Sequence, residues 1–164
     1  MLRPFLFVGC GGSGLRTLRR LRRDLTDALA FNGVGADEFP EAWQFIAVDV
    51  PSAEQIEPSL AEYSHGSYVG LAAPGIGYQG AFGIDDVLSS KANTMHDFAA
   101  WRPNPATVAA DVGIGAGQYR AVGRAVAAYS MDDRLASRIN ATVERMQSTA
   151  ARSEEHTSEL QSPC

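Results

Sequence analysis

Gly113-Ile114-Gly115-Ala116-Gly117-Gln118-Tyr119-Arg120-Ala121-Val122-Gly123-Arg124 is the stretch on which the fold turns. Glycines crowd its first half, and Val122 and Val126 then recur at helical spacing, so it reads as a tight turn opening a helix. An earlier run, Gly9-Cys10-Gly11-Gly12-Ser13-Gly14, follows the apolar Phe5-Leu6-Phe7-Val8 in the same way. Between the two lies an extended Trp43-Gln44-Phe45-Ile46-Ala47-Val48-Asp49. Helix N-termini present free backbone N–H groups that attract phosphate, and glycine lets the backbone come close. Two such turns and an intervening strand predict a nucleotide held by several loops at one edge of a sheet.

The rest of the chain fits an α/β domain with a mostly parallel sheet. Pro4 to Val8 is a continuous apolar run, as expected of a strand covered on both faces. Leu15, Leu18, Leu21 and Leu25 form a helical stripe, and Arg16, Arg19, Arg20, Arg22 and Arg23 fill the remaining, solvated face. Phe45 to Val48 reads as a second strand. From Pro58 to Pro105 the pattern loses period, and an irregular insertion is expected over about 58–111, with short helices near Ile84 to Ser90 and Asn93 to Ala100. Its aromatics, among them Tyr63, Tyr68, Tyr78, Phe98 and Trp101, are too frequent for a disordered linker. From Gln118 the chain is helical and directs Val122, Val126, Leu135, Ile139 and Val143 towards the sheet, with a break at Ser130 to Asp133 that Ser130 or Asp132 would cap.

Composition narrows the function classes. The formal net charge is −5, which disfavours a nucleic-acid or membrane-surface role for the arginine-rich helix. No run of 18 apolar residues exists, so no membrane span is expected, and Cys10, the one cysteine before residue 152, has no disulfide partner there, which fits a reducing, cytoplasmic setting. Met1 to Arg23 looks superficially like an organelle transit peptide, but its apolar run is short and leads straight into glycines. Cys10 reads as a small buried residue of a tight turn, and His65 and His96 show no partners.

Two nucleotide folds compete for the first glycine run. Gly9, Gly11 and Gly14 satisfy the G-x-G-x-x-G string of an NAD(P)- or FAD-binding Rossmann domain, with Asp49 as the ribose acid. Asp49 lies 35 residues beyond Gly14, where about 20 are expected, and the second glycine turn is left without a role. A P-loop is excluded: no G-x-x-x-x-G-K-[ST] string exists, and Lys91 is the only lysine.

The ordered set of both glycine loops and the Asp49 strand resembles the amino-terminal part of the FtsZ/tubulin superfamily. More narrowly, Gly115-Ala116-Gly117-Gln118-Tyr119-Arg120 with Gly123-Arg124 resembles the GAGQ-x-R-x-x-GR pattern of bacterial tubulin-like proteins. The resemblance implies a three-layer, Rossmann-like, incomplete nucleotide-binding domain that takes GTP or GDP with Mg²⁺. By position, Gly11, Gly12 and Ser13 would approach the phosphates, and Asp49 would hold the hydrated metal. Gly115, Ala116, Gly117 and Gln118 would reach the terminal phosphate, with Arg120 meeting the anion and Arg124 one turn further on. The family's GGGTGTG-like signature loop and its acidic hydrolysis loop are missing from these residues, so weak or no nucleotide binding and no hydrolysis are expected of them alone. The complete parent would bind guanine nucleotide, with GTPase activity and head-to-tail self-association as open possibilities, and no nucleic-acid or membrane partner is implied. A binding scaffold without GTPase activity is the alternative from another class.

Arg152-Ser153-Glu154-Glu155-His156-Thr157-Ser158-Glu159-Leu160-Gln161-Ser162 is what one reading frame of a common short-read sequencing adapter encodes. Residues 152–164 are therefore expected to be an artefactual tail and 1–151 a partial domain. The tail holds three of the 19 acidic and one of the 14 basic residues, so 16 acidic and 13 basic remain, a net charge of −3.

Overall fold

The computed structural model describes residues 3–35, 38–55, 59–63, 65–79, 83–90, 97–108, 111–117 and 119–159. A strand β1, Phe5–Cys10, passes directly into helix α1, Gly11–Phe31, followed by β2, Trp43–Asp49, and β3, Gly66–Gly70. Helices α2, Ile84–Ser90, and α3, Phe98–Trp101, precede α4, Arg120–Ser130. A π-helical turn, Met131–Ala136, leads into α5, Ser137–Glu159. The three strands form one sheet in the order β1-β2-β3. Phe45 N donates to His65 O at 2.8 Å near one end of the β2–β3 pair, and Leu71 N to Asp49 O at 2.9 Å near the other, so these strands run parallel. The fold is α/β, Rossmann-like, with a small and mostly parallel sheet.

β2 is the central strand, and Gln44 to Val48 are all buried, the pattern of a strand covered on both faces. β1 departs from the expectation of a doubly covered strand: Phe5 and Val8 are 48% and 47% exposed. The reason is its place at the sheet edge, where only β2 flanks it. β3 is an addition to the expected elements, because it lies within the segment read as irregular.

The chain divides into two compact units. The first comprises Met1–Ala47, Leu60–Ser67 and Arg138–Cys164, and the second Val48–Ser59 and Tyr68–Ser137. In the first, Leu15 and Leu18 of the α1 stripe are buried while Leu21 and Leu25 are half-buried. Phe7 stacks on Phe45 at 4.9 Å and Phe39 lies 5.9 Å from Phe45, an aromatic core beside Leu60 and Met146. The β1–α1 turn is tight: a Cβ on Gly14 would lie 2.7 Å from the carbonyl carbon of Gly9, closer than any side chain tolerates.

In the second unit, Val122, Ala125 and Val126 of α4 are buried with Ile84 and Leu88 of α2. Leu135 of this unit is half-buried, as are Ile139 and Val143, the later members of the expected stripe, in the first unit. The expected helix at Ile84 to Ser90 matches α2, and the one near Asn93 to Ala100 is met by α3, with 91–96 outside the described residues. The expected break at Ser130 is a π-helical turn instead of a cap. Ser130 makes no cap bond; its hydroxyl donates to Leu71 O, and Arg134 Nη1 donates to Gly70 O at 3.0 Å. The Ser130 hydroxyl and the Arg134 guanidinium are instead directed to the carbonyls leaving β3.

Candidate phosphate-binding site

Within the second unit, the end of β2 and the start of α4 meet at a cavity of about 600 Å³. One wall is Asp49, Val50 and Pro51; the other is Gly115, Ala116 and Gly117, continuing into Tyr119, Arg120 and Gly123. Backbone hydrogen bonds explain why the walls meet. Ser52 N donates to Gly113 O at 3.3 Å, and Gln55 Nε2 donates to Ile114 O at 3.1 Å. Asp111 organises the turn from within, its Oδ1 accepting from Gly113 N at 2.9 Å and its carbonyl accepting from Ile114 N at 3.0 Å. Beneath the opposite wall, the Tyr68 hydroxyl donates to Pro51 O at 2.8 Å. Burial, reinforced by the charges of Asp49 and Glu54, pushes that phenol up to about 12.

The glycine turn requires its glycines. Gly115 and Gly117 have φ of +142° and +58°, the left-handed half of the map where L side chains are strained. The turn hands over to α4 through Tyr119, whose side chain makes no cap bond. The first-turn amides of α4 therefore receive no side-chain acceptor from their N-cap, and a helix start of this kind suits an anion. Arg120, exposed and lining the cavity, adds a formal positive charge. Across from it stands Asp49, half-buried, with Oδ1 accepting from Val50 N at 2.8 Å.

Of the residues singled out from the sequence, Asp49, Gly115, Ala116, Gly117 and Arg120 are brought together around this cavity. Gln118 lies outside the described residues. Gly11, Gly12 and Ser13 form the first turn of α1 in the other unit, with Gly12 and Ser13 exposed. That helix start also lacks a side-chain cap and an acidic first turn. Arg124 is engaged elsewhere, with its guanidinium 4.0 Å from the centre of the Trp101 ring. Cys10 is corrected from buried to exposed, because β1 ends at the open strand–helix junction. Tyr119, Gln55 and Asp111 carry no motif, and their roles follow from contacts up to 59 residues apart in sequence.

Among the described residues no group of three or more His, Cys, Asp or Glu could hold a metal by itself. A lone carboxylate still fits Mg²⁺, which is commonly held by one or two carboxylates plus substrate phosphates. Asp49 Oδ2 is the ligand atom this arrangement offers. Among the described residues no helix is long and apolar enough to cross a membrane.

No curated protein and no solved structure matches the chain. A family model described as tubulin-like matches residues 6–163, which takes in both glycine turns, the β2 carboxylate and α4. By a match of that extent, the chain belongs to the tubulin-like family.

Proposed function

We propose that this chain is the amino-terminal part of a bacterial, tubulin-like, GTP-binding protein, and that the cavity between Asp49 and the Gly115–Gly117 turn receives the phosphate end of the nucleotide. The observation that carries this reading is the pairing of polarities in one cavity. An uncapped helix start with Arg120 offers donors to phosphate oxygens, and Asp49 opposite offers one ligand to a magnesium ion. Gly11, Gly12 and Ser13, at the uncapped start of α1 in the first unit, are proposed as phosphate donors on the family resemblance alone, and Mg²⁺ would supply charge neutralisation of the phosphates when bound. For the complete parent this reading implies a cytoplasmic, cytoskeletal type of protein, with head-to-tail self-association and GTP turnover left to experiment. Residues 1–151 alone carry only part of the donor set; the adapter origin of residues 152–164 rests on their sequence alone, and the family match extends to residue 163.

Titration of the complete parent with Mg²⁺–GTP, by calorimetry, tests the site. D49A and R120A each weaken binding about 10- to 100-fold, the loss of one charge-assisted interaction of about 1.5–3 kcal/mol. Unchanged affinity in both variants would remove the cavity from the nucleotide site. Micromolar GTP binding by residues 1–151 would overturn the statement that they lack sufficient donors. Tight GTP binding without turnover in the parent would favour a binding scaffold over a GTPase.

A further inference from the structure

His65 is buried, yet among the described residues its Nδ1 has no hydrogen-bond partner. Buried polar atoms are nearly always satisfied, so the exception calls for an explanation. The residue sits immediately before β3, and its own carbonyl accepts from Phe45 N at 2.8 Å, which fixes its backbone to β2. Its ring lies 5.3 Å from the Phe39 ring. On α1, the Arg22 guanidinium lies 5.2 Å from the centre of Phe39 and 3.6 Å from that of Tyr63, so one cation is packed on two aromatic faces. Arg22 Nε is likewise buried without a hydrogen-bond partner.

The charged groups that act on His65 come from several elements. Burial lowers its pKa first, the Arg22 charge on α1 lowers it further, Glu41 ahead of β2 raises it, and Arg145 on α5 lowers it. Two guanidinium groups thus oppose a single carboxylate. Tyr63 contacts Arg22 through its ring face. A neutral imidazole is accommodated here at the cost of one idle nitrogen. An imidazolium would be a buried cation beside the half-buried Arg22, with no acceptor for Nδ1–H among the described residues.

We propose that His65 is an acid-sensitive latch of the first unit: neutral, it closes the packing of Phe39, Tyr63 and Arg22 under α1, and on taking a proton from water it leaves that packing and frees α1. Histidine is the side chain whose ordinary pKa places such a change near physiological pH. The folded value lies below the ordinary 6.5, so the latch contributes fully above pH 6.5 and is lost as pH falls through the folded value. Because α1 begins at Gly11, release of the helix also reaches the first glycine loop.

NMR on the unsubstituted chain tests the latch. Ring ¹⁵N shifts of His65 are followed from pH ~7.5 to ~5, together with the indole resonance of Trp43, whose Nε1 donates to Arg3 O at 3.1 Å and whose ring lies 6.0 Å from Phe39. The latch requires a His65 midpoint below 6.5 and a Trp43 change with the same midpoint. A midpoint at or above 6.5, or an indole resonance that ignores the titration, overturns it. H65F, which keeps a ring against Phe39, should hold the Trp43 resonance constant over the same range. A Trp43 transition in H65F at the parent's pH would equally refute the proposal, and if H65F does not fold the unsubstituted titration decides alone.

Discussion

Replacing Gly14 and Gly12, two residues apart on α1, should move stability in opposite directions. A Cβ at Gly14 would sit 2.7 Å from the carbonyl carbon of Gly9 and 3.0 Å from its Cα. Comfortable carbon–carbon separation is about 3.5–4.0 Å, and both obstructing atoms are backbone, so α1 must retreat from β1 by roughly 1 Å. That retreat loosens Leu15 and Leu18, which are 3% and 4% exposed. Overpacking of this kind costs about 1–3 kcal/mol, and two immovable neighbours place it at the upper end. Alanine's better helix propensity returns about 1 kcal/mol, leaving a net loss near 2 kcal/mol for G14A. At Gly12 nothing lies within 4 Å of the added Cβ, and its φ is not among the positive values. G12A therefore keeps only the propensity gain, about 0.5 kcal/mol in a first turn. For a chain of this size the pair corresponds to a Tm about 4–8 °C lower for G14A and about 1–2 °C higher for G12A. Thermal unfolding followed by circular dichroism decides the matter. Equal Tm values for the two variants would refute the close crossing of β1 and α1.

Four other perturbations have defined outcomes. Asp85 is buried and accepts from Arg102 Nε at 2.6 Å, so D85A should cost about 2 kcal/mol, less than the 3–5 of a fully buried pair because the Arg102 side chain is 40% exposed and can hydrate; a urea midpoint unchanged in D85A would contradict this. Burial and Asp49 push Tyr68, and burial and Asp85 push Tyr78, up to about 12 from 10.0. Both folded values are raised, so their stabilisation is complete below pH 10 and lost as pH rises towards 12, and phenolate absorbance should show both groups ionising near pH 12; a midpoint near 10 in the folded protein would contradict this. S130A removes the donor to Leu71 O in a buried position and should cost about 1–3 kcal/mol by urea denaturation. G117A forces an L residue to φ +58° and should cost about 1–2 kcal/mol by the same measurement, whatever its effect on ligands.

The parts of the fold that were legible are those whose cause is local. The β2 run from Phe45 to Val48 is apolar because both its faces are covered, and the helix opening after Gly117 follows from its glycines and the Val122–Val126 spacing. β3 was not legible, since only Tyr68-Val69 favours a strand and a glycine stands at each end of so short a segment. It is a strand because β2 offers it a ladder, with Phe45 N bonded to His65 O and Leu71 N bonded to Asp49 O. The exposure of β1 was hidden for the complementary reason: an apolar run records what a strand is suited to, and its position at the sheet edge depends on the other strands. The site was half legible. Asp49 and the glycine turn announce their chemistry by residue type, whereas Gln55 and Asp111 matter only through where their hydrogen bonds land.

The two glycine turns, alike as strings, differ in what their glycines do. Gly9 and Gly14 are required by contact: each added Cβ would strike the other residue's backbone within 3 Å. That packing accounts for the ends of the G-x-G-x-x-G string without any dinucleotide. In the second turn the added Cβ atoms would meet nothing closer than 3.7 Å at Gly115 and 4.0 Å at Gly117, so crowding does not explain those glycines. Backbone conformation does, at φ +142° and +58°, and that conformation aims the chain into the uncapped start of α4 beside Arg120. A turn whose glycines shape the backbone around open space, with a carboxylate across it, is what the proposed phosphate site requires, and packing alone does not account for it. The phosphate reading therefore rests chiefly on the second turn, even though the first is the better match to a familiar string.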